Sequence, residues 1–130
     1  MMGPHDGAVR RPFSIACSPE RAAETRALEL LIAMEGGSGD LTWATTGALV
    51  DVEGPIGTFT FPASLDQSRV LFVAGGTGIA PVRAMLDHAL RRHPAERISL
   101  LYSTRHRRSS SSWRSSARTS VRDGWSCIRR

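Results

Sequence analysis

The chain has no lysine, so all 17 of its basic side chains are arginines. Its two cysteines, Cys17 and Cys127, are far apart and form no CxxC pair, which argues against a zinc or iron-sulfur centre and points to free thiols. The four histidines give no metal site either: His5 and His106 fall in unpatterned segments, and His88 and His93 are expected near the solvent side of a helix with no third ligand in view. Long apolar runs are missing. The longest are far shorter than the ~18 residues of a membrane span, and the opening MMGPHDGAVRRPFS lacks the apolar region of a secretory leader. No membrane insertion is expected, and the expected location is the cytoplasm.

The net charge of +5 and pI near 10.9 describe one end of the chain. From His106 onward there are seven arginines and one aspartate, a net of +6, against ten arginines and eleven acids before it, a net of −1. This tail is largely serine and arginine with no apolar period, so it is expected to be disordered and to meet nucleic acid only non-specifically. Two origins stay open for it: a genuine arginine/serine-rich segment that binds RNA, or a lost reading frame.

The most informative residues are Val73 to Pro81, VAGGTGIAP. The run Val70 to Ala74 is apolar without alternation, as in a strand covered on both faces. Gly75, Gly76 and Gly78 let the backbone take positive φ and approach a ligand closely, and Pro81 suits the first turn of a helix. Unpaired N–H groups and the positive end of the helix dipole favour a pyrophosphate there. An ordinary strand-turn-helix connection has the same local pattern.

Two styles of structure meet near residue 66. Before it, Pro12–Cys17, Leu28–Met34, Ala48–Val52 and Thr58–Phe61 read as strands with glycine turns between them, and the alternation of the last would put Phe59 and Phe61 on a core face. After it, strand 70–74, helix 81–92 and strand 98–102 make a βαβ unit. On the helix, Val82, Met85, Leu86, Ala89 and Leu90 share a core face, with Arg83, Asp87, Arg91 and Arg92 outward. The expected domains are thus 1–65, 66–105 and the tail 106–130.

Three motifs in fixed order resemble the ferredoxin-NADP reductase-type flavoproteins. Arg11-Pro12-Phe13-Ser14 is similar to that family's flavin motif, Gly54-Pro55-Ile56-Gly57-Thr58-Phe59 to its GPxGxF turn, and Gly75-Gly76-Thr77-Gly78-Ile79-Ala80-Pro81 to its nicotinamide-nucleotide loop. The resemblance implies a partial flavin-binding antiparallel β-barrel followed by a partial Rossmann-like α/β domain. Only ten residues precede Arg11, where the family's barrel has several strands, so an incomplete barrel is expected. The family's later cysteine-containing motif and terminal aromatic are not identifiable.

The implied cofactors are FAD and NAD(P)H. Arg11 would pair with the flavin diphosphate, with Pro12 beside it; Phe13 would pack on the ring system or ribityl chain; Ser14, near flavin N5 and O4, is the implied catalytic residue. Gly37 and Ser38 lie where the family often has a second flavin-phosphate turn, and Thr77 would help to hold the dinucleotide. Ser103 and Arg105 fall where the adenosine ribose is read; with no acid there, NADP is favoured slightly over NAD. The implied reaction carries a hydride from NAD(P)H to FAD and electrons onward to an acceptor protein, such as ferredoxin or an oxygenase component, or to a small molecule. The rival reading is a non-catalytic nucleotide-binding or regulatory fragment whose basic tail binds RNA or acidic partners.

Overall fold

A computed structural model describes residues 2–4, 10–32, 44–93, 97–103, 118–122 and 125–129. The elements in chain order are strand β1 (Met2–Pro4), helix α1 (Pro19–Thr25), strand β2 (Val50–Val52), strand β3 (Arg69–Gly75), a 3₁₀ turn Gly76–Gly78, helix α2 (Ile79–Arg92), and strands β4 (Arg97–Ser103), β5 (Arg118–Arg122) and β6 (Trp125–Arg129). β1 and β2 pair antiparallel as a two-stranded ribbon, and the other four strands form a sheet in the order β3-β4-β6-β5.

The βαβ unit is the centre of the molecule. β3 and β4 run parallel in register from Arg69↔Arg97 to Gly75↔Ser103, joined by α2, as a crossover connection between parallel strands requires. The helix keeps its expected core face: Val82, Leu86 and Ala89 are buried against Phe72, Ala74, Ile98 and Leu100, with Met85 and Leu90 packed at the margin. It starts at Ile79, so Pro81 is its third residue, still among the positions whose N–H has no partner within the helix.

Several expectations need correction. β3 is covered on one face only: Phe72 and Ala74 are buried, while Leu71 and Val73 are 65% and 57% exposed, because α2 is the single layer packed on this pair of strands among the described residues. Among the described residues, the part expected to form a barrel shows the β1–β2 ribbon and the bridge Ile15↔Leu30. Thr58–Phe61 forms no strand, since a ladder needs a neighbour and alternation alone supplies none; Phe59 is 72% exposed, and Phe61 packs instead against the βαβ core. The disordered tail is corrected in two stretches. β6 pairs antiparallel with β4, from Ser99↔Arg129 to Ser103↔Trp125, and β5 pairs with β6. Backbone hydrogen bonding to an open strand edge needs no apolar period, so composition could not exclude it.

Helix α1 interrupts what reads as a stretch of strands. Ser18 is its N-cap, accepting from the Arg21 N–H at 3.2 Å; Pro19 occupies the first turn beside Glu20, and the helix ends at Arg26 in the left-handed region with φ 53°. Ser-Pro-Glu is a helix-start signature, and it lay in the sequence.

Candidate functional site

The nucleotide turn is built by three elements that meet at one end of the sheet. β3 and β4 end side by side at Gly75 and Ser103, and α2 starts just beyond the 3₁₀ turn. Ends of parallel strands beside a helix N-terminus are where open α/β sheets bind ligands. Gly76 sits at φ +51°, a conformation that suits glycine, and a Cβ at Gly76 or Gly78 would meet nothing within 4 Å. The turn therefore presents bare backbone to open space. Gly78, the N-cap of α2, makes no side-chain capping bond, so the first N–H groups of the helix are not capped by their own N-cap side chain. This cradle fits a pyrophosphate. The Tyr102 hydroxyl donates to the Gly76 carbonyl at 3.1 Å, holding the turn to the end of β4.

The segment Arg11–Ser14 belongs to the other part of the chain. Arg10 forms an ion pair with Glu53, which sets this segment beside the Gly54-Pro55-Ile56-Gly57 turn and so joins two of the three motifs. Pro12 and Ser14 are exposed, and Arg11 and Phe13 are half-buried. Just downstream the chain becomes buried at Ala16, Cys17 and Ser18. Gly37, Ser38 and Arg105 lie outside the described residues.

The family of the oxidoreductase NAD-binding domain matches residues 72–117. Ferredoxin-NADP reductase B of Sorangium cellulosum is 38% identical over 103 residues, 76% of this chain and 40% of that protein. The reductase subunit of an aromatic O-demethylase from Amycolatopsis is 33% identical over 109 residues, 78% of this chain and 31% of the relative. Methane monooxygenase component C of Methylosinus trichosporium is 34% identical over 103 residues, 76% and 29% of the two chains. The chain belongs, in part, to the ferredoxin-NADP reductase family. It spans 40% or less of the length of these relatives. No solved structure matches it at a significant level.

The outer face of α2 differs from expectation. Arg83, Asp87, Arg91 and Arg92 do not simply face water, because α1 packs there and Glu29, in the segment after it, pairs with Arg83. Ser18 is fully buried and donates from Oγ to Asp87 Oδ2 at 2.6 Å. Glu20 lies 3.0 Å from His88 Nδ1 and accepts from Arg92 Nε at 2.9 Å; Glu24 pairs with Arg91 at 2.6 Å, and Glu29 with Arg83 at 2.7 Å and Arg21 at 2.6 Å. The Arg92 hydrogen bond is the main cause that lowers the Glu20 carboxyl from 4.5 to about 2, against a smaller opposing effect of burial. Arg21 and then Arg83 lower Glu29 in the same way.

His88 and His93 are also not the plain surface groups they resemble in sequence. Phe61 sits edge-on to His88 with ring centroids 5.6 Å apart, tilted to His93 at 5.7 Å, and stacked on Phe72 at 6.1 Å. The residues that sequence reasoning missed are Ser18, Glu20 and Tyr102. The first two carry the helix-start signature; Tyr102 carries no signal, because only the strand register brings it to Gly76. Among the described residues no group of His, Cys, Asp and Glu could hold a metal ion, and no helix is long and apolar enough to cross a membrane.

Proposed function

We propose that this chain is part of an FAD- and NAD(P)H-dependent oxidoreductase, with the nicotinamide dinucleotide held at Gly75–Gly78 and the flavin at Arg11–Ser14. The observation that supports this reading most is the register that sets Gly75 beside Ser103 at the mouth of α2, with bare glycine backbone open to solvent. When bound together, the two cofactors supply the redox chemistry, a hydride passing from nicotinamide C4 to flavin N5. The chain aligns them. Arg11 offers two parallel N–H donors to the flavin diphosphate, with Pro12 fixing the backbone beside it and Phe13 offering an apolar face to the ring. Ser14 is the catalytic residue of this reading: its hydroxyl would offer both a donor and an acceptor to the reactive edge of a bound flavin.

On the nucleotide side, the N–H groups of Gly76, Thr77 and Gly78 and the dipole of α2 would balance a pyrophosphate, and Pro81 suits the first turn without consuming a donor. Gly37 and Ser38 would complete the flavin-phosphate side. Ser103 and, two residues on, Arg105 would offer a hydroxyl and a cation where a carboxylate would select NAD, so the lean is toward NADP. The acceptor class is a redox protein, ferredoxin or an oxygenase component, in line with the names of the relatives.

The test is a titration of FAD into the 130-residue chain, followed by anaerobic addition of NADPH. A yellow complex that NADPH bleaches is expected. Arg11→Ala should weaken FAD binding by roughly 1.5–3 kcal/mol, about tenfold to a hundredfold. Equal curves for the two proteins would remove Arg11 from the site, and a colourless chain that takes up no flavin would end the reading.

A further inference from the structure

We infer that α1 is a positioning element for the reaction proposed above: Ser18 and Glu20, docked on Asp87, His88 and Arg92 of α2, hold Arg11–Ser14 in a fixed relation to the Gly75–Gly78 turn. The inference rests on that functional reading and adds a role to residues that touch neither cofactor.

The lever arms on both sides are short and stiff. Ser14 is four residues from Ser18, a span of at most ~14 Å even when fully extended. The intervening chain is not free: Ile15 bridges to Leu30, and Ala16 and Cys17 are buried, with the Cys17 Sγ accepting from the Glu29 N–H at 3.3 Å. On the other side, Asp87 belongs to the same helix whose first turn abuts the glycine turn, eight residues or ~12 Å along the axis from Ile79. A helix of this length moves as a rigid rod. Wherever Ser18 grips α2, the angle between the two cofactor segments is set.

The grip is directional rather than greasy. Ser18 is fully buried, caps α1 by accepting from Arg21, and spends its one hydroxyl proton on Asp87. Glu20, two residues on, accepts from His88 and Arg92, in successive turns on one face of α2, and α1 buries no apolar side chain fully. A helix held for stability alone would be expected to present an apolar stripe. A helix held by a buried hydroxyl and a two-point carboxylate has one register on its partner, since a slide of one residue would break each bond. Hydride transfer depends steeply on donor-acceptor geometry, where about 1 Å of misplacement can cost a hundredfold.

The experiment uses the 130-residue chain with FAD and NADPH as probes, in wild type, Ser18→Ala, Asp87→Ala and Asp87→Asn. Asn still accepts from the Ser18 hydroxyl; Ala does not. For Ser18→Ala and Asp87→Ala we expect dissociation constants for FAD and NADP⁺ within about twofold of wild type. We also expect at least a tenfold slower flavin reduction at saturating NADPH, loss of the long-wavelength charge-transfer absorbance, and faster hydrogen exchange at residues 11–18. Asp87→Asn should restore most of each. If wild type binds both cofactors and the Ala variants reduce flavin and show charge transfer as wild type does, the positioning role is wrong while the functional reading stands. It is equally wrong if Asp87→Asn is no better than Asp87→Ala, or if reduction falls only in step with melting temperature. Should wild type bind neither cofactor, the functional reading fails and this inference with it, whatever the hydrogen exchange shows.

Discussion

Gly76 and Gly78 look alike in the sequence and are constrained by different physics. Gly76 is at φ +51°, where a side chain strains the backbone, whereas Gly78 is at φ −60° in the helical region with nothing within 4 Å of a Cβ. Gly76→Val should therefore cost stability by about 1–2 kcal/mol whether or not any ligand binds. Gly78→Ala should cost about 1 kcal/mol or less, as a change of N-cap. If pyrophosphate occupies the space in front of Gly78, the same change should weaken NADPH binding and slow flavin reduction by NADPH, with dithionite reduction unchanged. Thermal melts and stopped-flow reduction of the two variants separate these effects. Unchanged NADPH kinetics in Gly78→Ala would make the turn structural only.

At the scale of elements, α2 has two working faces. One is apolar and lies on β3 and β4; the other is charged and receives α1 through Asp87, His88, Arg91 and Arg92. Its periodicity is legible in the sequence because the buried residues recur every three or four positions. The charged face reads as solvated because charge is the usual mark of solvent, and nothing local reports that another helix will cover it. The pairs are partly exposed, so each contributes only about 0–1 kcal/mol, and Glu20 adds a pH dependence of known sign. Its folded carboxyl is lowered from 4.5 to about 2, so the stabilisation is fully present above pH 4.5 and is lost as pH falls toward 2. Unfolding free energies from urea titrations of wild type and Glu20→Gln should differ near neutral pH, with wild type higher by up to about 1 kcal/mol, and the gap should close as pH falls through that window. A gap that stays constant with pH would mean that the Glu20 charge is not what holds α1.

For the whole molecule, the C-terminal segment is the point at which composition and topology disagree. Its charge is as unusual as the sequence suggests, and removal of residues 106–130 would take the net charge from +5 to −1. Salt-sensitive adhesion to nucleic acid should largely vanish with it. The truncation should not be silent for stability, because β6 occupies the edge of β4 and β5 extends the sheet. Melting should fall by several degrees, roughly the effect of 1–2 kcal/mol in a chain of this size. An unchanged melting temperature would show that the two strands add nothing to the stability of the βαβ unit.

The sequence by itself determined what depends on neighbours a few residues away. The glycine turn between β3 and α2, the apolar stripe of that helix, the parallel partner strand and the family resemblance all rest on local spacing, which the chain cannot disguise. Tertiary structure alone decided which strand edges and helix faces found partners. Among the described residues it paired β1 with β2 and Ile15 with Leu30, left Leu71 and Val73 exposed, brought Tyr102 to Gly76, and set β6 on β4. Pairing along a sheet edge is made by backbone groups that every residue carries, and a buried hydroxyl or carboxylate is stable only where a distant partner meets it. Neither condition is written in the residue that depends on it.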